Sequence, residues 1–142
     1  MYYFCVLLFL FQNSTPEHIV EYHDIKSKAQ EIEYITKYKK SDSTDIQAYV
    51  ISLEMKQAEY KVLPWQKLNT FSKGKTKLEQ LIMNEPKNAN LRYVRLVIQE
   101  QLPKMLNYNT DIENDKHFLS ELLKTKDNSD YLDTYILNYT TL

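Results

Sequence analysis

Glycine is nearly missing from this chain: one residue in 142, beside four prolines and a single cysteine. An all-β sandwich or barrel needs turn residues about every 8–12 positions, so that class is excluded. Dinucleotide-binding and P-loop enzymes need clustered glycines that let backbone approach phosphate, and they are excluded as well. A lone cysteine, Cys5, supports neither a disulfide framework nor a zinc ribbon. Charge of one sign is also missing. The formal net charge is −1, and no global field draws the chain toward nucleic acid. What is present, 43% hydrophobic and 26% charged residues, is too apolar for a disordered chain and suits one domain with one core.

The longest apolar run, Tyr2–Phe11, is ten residues. A membrane-spanning helix needs roughly 20. The run has the length of the apolar middle of a secretory signal peptide, and the polar stretch Gln12-Asn13-Ser14-Thr15 follows it. No Lys or Arg precedes it and no small-x-small pair follows, so a short first helix or strand packed on the core, or a wrongly assigned start, stands beside that reading. Residues 1–14 are expected to be a signal peptide that directs export to the periplasm or envelope, with a cytoplasmic location as the alternative. Residues 15–142 are expected to form a single helical domain.

Beyond residue 14 the apolar period is close to 3.6, which predicts helices. A first helix runs to about Tyr38, opened by a capping box at Ser14 and Glu17 and burying Tyr22, Ile25, Ala29, Ile32 and Ile35. A second runs from about Thr44 to Val62 with Ile46, Tyr49, Val50, Leu53 and Tyr60 inward. Pro64 ends it and sits in the first turn of a third, to about Asn84, whose stripe is Trp65, Leu68, Phe71, Leu78, Leu81 and Ile82. Gly74 inside that helix costs about 1 kcal/mol relative to alanine, which implies close approach of another backbone or a kink. Pro86 and Asn88 make a tight turn, and Asn88 caps a fourth helix that Pro103 stops. The broad apolar arc of this fourth helix marks it as the most buried. Thr110 and Glu113 form a capping box for a fifth helix to about Lys124, and Asp127–Asp130 caps a last one. Of the twelve tyrosines, most fall on or beside these stripes, where rings bury and hydroxyls stay at the rim.

Charge divides along the chain. Residues 67–104 carry eight Lys/Arg against three Asp/Glu, and residues 105–142 carry three against seven. The acidic end is expected to pack beside the basic middle. Within this pattern Arg92, Arg95 and Gln99 share one side of the fourth helix, opposite Asp111, Glu113, Asp115 and Glu121 on the fifth. A half-buried arginine needs a carboxylate, so a structural ion pair is one reading. The other opens the arginines to a groove, where their planar forks grip an anionic ligand.

Other motifs carry less. Ser72-Lys73-Gly74-Lys75-Thr76 ends like a P-loop, but Asn69 stands where the first glycine belongs. Lys67, Lys73, Lys75 and Lys77, interleaved with Trp65 and Phe71, could make a single-stranded nucleic-acid surface. The interval of three through Trp65, Leu68 and Phe71 turns those side chains to the core instead, and nucleic acid is not the expected partner. His18 and His23 point about 140° apart on a helix, where a zinc pair needs one direction. No metal or cofactor is expected. Nor does a nucleophile elbow or other catalytic constellation emerge.

Leu78-Glu79-Gln80-Leu81-Ile82 followed by Pro86-Lys87-Asn88-Ala89-Asn90-Leu91-Arg92-Tyr93 resembles a junction between two tetratricopeptide (TPR) repeats. Only one such junction is visible, with Arg95-Leu96 where the family has Leu-Gly, so the resemblance implies a TPR-like hairpin and not an array. The wider stretch from about Ala48 to Leu123 is similar to a family of small, uncharacterised bacterial proteins with leader peptides. Lys67-Leu68, Phe71, Lys73-Gly74-Lys75, Leu78-Glu79, Pro86, Asn88, Leu91-Arg92, Arg95, Gln99-Glu100, Pro103, Tyr108 and Asp115-Lys116 carry that likeness. It implies a fold and an address, and no reaction.

The expectation is an all-α domain of five or six antiparallel helices, a bundle with one TPR-like hairpin, that acts without catalysis by holding a protein or peptide partner. The alternative is a binder of an anionic small ligand or nucleic acid through Arg92, Arg95 and the lysines around Gly74.

Overall fold

The computed structural model describes residues 14–142, and the expected signal peptide lies outside them except for Ser14. The described residues form seven α-helices and no strand. They are α1 (Glu17–His23), α2 (Lys28–Tyr38), α3 (Thr44–Lys56), α4 (Pro64–Asn84), α5 (Ala89–Gln101), α6 (Ile112–Leu123) and α7 (Asp133–Tyr139). Short 3₁₀ turns lie at Gln57–Tyr60, Lys104–Leu106 and Asp130–Leu132. None of these helices is long and apolar enough to cross a membrane.

The single first helix is a correction. The chain breaks after His23, and a new helix starts at Lys28 because the Ser27 side chain accepts from the Gln30 N–H while Gln30 Oε1 accepts from the Lys26 N–H. That Ser-x-x-Gln pair works like a capping box, with the return bond made to the residue before the N-cap. Ser14 and Glu17 form none, since Pro16 is the N-cap of α1 and gives no side-chain cap. The break rotates α2, so Ala29 and Ile32 face solvent while Tyr34 and Glu31 are buried. Asn88 caps α5 as expected, accepting from the Asn90 and Leu91 N–H groups. Thr110 caps nothing, because α6 begins at Ile112 with Asp111 as its uncapped first position.

α3 is the hub and packs against α2, α4 and α5. Its residues Ala48–Leu53 are buried without interruption, which requires neighbours on every side. α5 is buried along one broad face, so α3 equals it and the expectation of a single most buried helix is corrected. α3 also ends early, at Lys56, and the 3₁₀ turn that follows carries Tyr60 outward to donate to Glu31 Oε1 at 3.2 Å. Glu31 accepts from Lys56 and Gln57 as well, each at 2.8 Å. Burial works against its charge, but the bonds from Lys56, Gln57 and Tyr60 outweigh it and hold the carboxyl below the usual range. A buried carboxylate thereby ties α2 to the end of α3.

Between α1, α3, α5 and α7 lies a cluster of aromatic rings. Tyr22 meets Tyr49 edge-on at 4.9 Å, and His23 stacks on Tyr135 at 4.0 Å. His23 Nδ1 lies 2.8 Å from the Ile19 carbonyl oxygen, which can only accept, so Nδ1 carries the proton. The neutral ring then accepts at Nε2 from the Tyr93 hydroxyl at 2.7 Å. Burial lowers the pKa of His23, opposed by the Ile19 carbonyl and Asp24; burial likewise lowers that of His18, opposed by Asp45 and Glu21. In the unfolded chain both histidines take up protons near their ordinary value, while in the fold they resist until lower pH. Between those two values the unfolded state binds more protons, so stability falls as pH falls through about 6.5 and below. Urea midpoints measured from pH 7.5 to 5 should therefore decline, and less steeply in His23→Gln. A flat or rising midpoint on acidification would contradict this protonation scheme.

Candidate functional site

The arginines singled out in the sequence converge on one carboxylate. Asp115, the fourth residue of α6, is fully buried and faces α5. Arg95 Nε donates to Asp115 Oδ2 at 2.7 Å and Arg95 Nη2 to Oδ1 at 2.8 Å, a bidentate fork. Arg92 Nη1 donates to the same Oδ1 at 2.7 Å, and Arg92 Nε donates to the Pro86 carbonyl at 2.8 Å. The remaining Arg95 nitrogen, Nη1, donates to Glu79 Oε2 of α4 at 2.9 Å and has Asp111 at 3.7 Å. Tyr108 completes the group by donating to Glu79 Oε1 at 2.6 Å. Burial opposes the Arg95 charge, but its bonds to Asp115 and the nearby Glu79 and Asp111 more than compensate, and its pKa is raised. Burial and the bond to Glu79 push the Tyr108 phenol up.

This network joins α4, α5 and α6 through two guanidinium groups and three carboxylates. Of the four carboxylates that the sequence offered, Asp115 makes the short bonds and Asp111 stands farther off, also accepting from Gln99 Nε2 at 3.2 Å. Glu113 is exposed and Glu121 pairs with Lys124. Sequence reasoning missed Glu79 and Tyr108. One signal for Glu79 existed, since it is the only carboxylate of α4, among four lysines. Arg92 and Arg95 also line an open depression of about 710 Å³ with His117, Phe118 and Glu121, and the Arg92 guanidinium lies 4.9 Å over the Phe118 ring. Their strongest donors point away from that depression, into Asp115.

The lysines around Gly74 take separate places. Lys73 is exposed, and Lys75 lies over the Tyr108 ring at 4.9 Å. Gly74 is buried where α4 crosses α3, and a Cβ built on it would stand 2.1 Å from Met55 Cγ. The close approach is real, but a side chain makes it, where backbone was expected. Pro64 occupies the first turn of α4, Pro103 follows the end of α5, and Pro86 lies in the turn that Asn88 closes by donating its N–H to the Glu85 carbonyl at 3.1 Å.

Trp65 and Leu68 require a larger correction. Both were expected in the core, yet they are 66% and 58% exposed, and Val62 is 86% exposed. The inward face of α4 is set by Phe71, Gly74, Leu78 and Ile82. With 21 residues α4 is about 31 Å long, against about 20 Å for the 13 residues of α3 beneath it. Together with the 3₁₀ turn Gln57–Tyr60 that packs on α4, α3 leaves the first turns of α4 uncovered, and residues 61–69 are all exposed.

The histidines stay apart, His23 bonded to Tyr93 and His18 with a buried Nε2 that has no hydrogen-bond partner. Among the described residues no group of three or more His, Cys, Asp or Glu side chains is placed to hold a metal ion. Compared with protein-family models, curated proteins and solved structures, the chain matches none of them.

Proposed function

We propose that this chain is a non-catalytic helical interaction protein of the periplasm or envelope, and that it engages its partner through the exposed head of α4. One observation carries the reading: Trp65 and Leu68, one helical turn apart in α4, stand exposed together with Val62 just before the helix, while the other large apolar residues of α4 are mostly packed away. Water-exposed aliphatic and indole groups clustered on one stretch of chain mark an interaction surface. The α4–α5 pair is read as the TPR-like hairpin of a small bundle, supported by its tight turn and the Asn88 cap. The second reading, an anionic ligand or nucleic acid held by Arg92, Arg95 and the lysines around Gly74, draws less support, because Asp115, Glu79 and Pro86 engage the arginine donors.

A photo-cross-linking amino acid placed at position 65 in living cells should give adducts, to protein or lipid. The same group at position 113, exposed on α6, should give none. Equal labelling from the two positions, or none from position 65, would remove the α4 head as the contact surface.

A further inference from the structure

The head of α4 carries charge of one sign as well as apolar surface. From Lys61 to Lys77 the chain has five lysines and no carboxylate. Lys77 pairs with Glu54 at 3.3 Å and Lys75 covers Tyr108, while Lys61, Lys67 and Lys73 are exposed with no ion pair among the described residues. Glu59, in the 3₁₀ turn packed on α4, is exposed and is the nearest carboxylate before this stretch in the sequence.

We infer that this exposed head is a membrane-docking tip, which seats Val62, Leu63, Trp65 and Leu68 in the interfacial layer of an anionic lipid surface. The inference rests on the interaction reading above and names its partner class. Apolar side chains gain by leaving water for the headgroup–acyl boundary, and an indole ring sits best at that level. Lysine stems lie along the same apolar zone while their ammonium groups reach lipid phosphates. Each lysine close to an anionic leaflet contributes about fivefold in affinity. The apolar side chains also separate lipid from single-stranded nucleic acid. Bases stack on aromatic faces, and three of the four apolar groups here are aliphatic. A tip exposed along all of residues 61–69 fits a deformable surface better than a rigid partner's flat face.

Trp65 is the only tryptophan, so its emission reports on this tip directly. In the full chain, vesicles of equal parts phosphatidylglycerol and phosphatidylcholine should shift that emission to the blue, and pure phosphatidylcholine should leave it unmoved. Val62→Ser with Leu68→Ser should abolish the shift without changing the melting curve, since both side chains are exposed. Lys61→Gln with Lys67→Gln should weaken binding about 25-fold. All variants keep the run Tyr2–Phe11, so a response lost on substitution belongs to α4. Emission unmoved by anionic vesicles, equal shifts with both lipids, or a full response in the double-serine variant would each overturn the proposal. Quenching by oligothymidylate without any vesicle response would assign the tip to single-stranded nucleic acid instead. A protein cross-link from position 65 with no vesicle response would sink the lipid assignment and leave the interaction reading standing; failure of both removes the reading itself.

Discussion

Asp115→Asn should lower the unfolding free energy by about 3 kcal/mol or more, because it strips the shared partner from two arginines in a low-dielectric site. The substitution preserves shape and takes away the charge. Asparagine offers one acceptor oxygen to a bidentate fork that needs two, and turns an NH₂ donor toward a guanidinium that can only donate. Arg95, only 4% exposed, cannot swing into water to recover hydration, and it keeps Glu79 and a more distant Asp111 as its remaining partners. Arg92 loses less, since it retains the Pro86 carbonyl and reaches the surface. The combination Asp115→Leu, Arg95→Met and Arg92→Met should recover most of the lost stability, because the cost lies in the unpaired charge and not in the absence of the ion pair. Glu79, left over in that combination, is partly exposed and can be solvated while still accepting from Tyr108. Denaturant unfolding of the parent chain, Asp115→Asn and the triple combination checks both statements. A loss below about 1 kcal/mol for Asp115→Asn would mean that the network adds little to the fold.

At Gly74 two effects oppose each other, and their sizes decide the outcome. Alanine inside a helix is favoured over glycine by about 1 kcal/mol. At this position its Cβ would stand 2.1 Å from Met55 Cγ, 3.1 Å from Sδ and 3.4 Å from Cβ. Methionine adapts easily at its far end, but Cγ is only two bonds from the backbone Cα. Moving it means changing χ1, which a helix restricts to essentially two choices. The alternative is to spread α3 from α4. Overpacking of this kind costs about 1–3 kcal/mol, so Gly74→Ala should be net destabilising by up to about 2 kcal/mol despite its better propensity. In a double-mutant cycle with Met55→Ala the two changes should couple by about 1 kcal/mol or more, since the alanine methyl then enters space the methionine has vacated. A stabilising Gly74→Ala would show that Met55 repacks freely.

These two sites show what could be read in advance. A lone glycine in a helical stripe announced a close approach or a kink, because either offsets its cost in that place. The neighbour that makes the approach, Met55, belongs to a helix whose register against α4 no local pattern encodes. The arginines announced a need for carboxylates in the same way, through the cost of burying an unpaired charge. Selection of Asp115 over Asp111, Glu113 and Glu121, and recruitment of Glu79 and Tyr108, depended on how α4, α5 and α6 meet. The misplacement of Trp65 and Leu68 has the same origin. Their spacing of three is correct for a helix, and α4 is a helix at the expected residues. Whether a stripe is covered depends on the length of the helix beneath it, and α3 stops short.

The amino-acid sequence by itself determined the helical class, the existence of most helices, the Asn88 cap and the proline-marked ends of α4 and α5, because propensity, capping and the 3.6-residue period act within a few residues along the chain. Tertiary structure alone decided that α2 turns Glu31 and Tyr34 inward in place of Ala29 and Ile32, that α3 is enclosed on all sides, that three carboxylates from two helices and a connecting loop gather around Arg95, and that the head of α4 is exposed to solvent. Each of those outcomes is a matter of which surface lies against which. That is set by the summed burial of all the helices together, a quantity that no single segment carries.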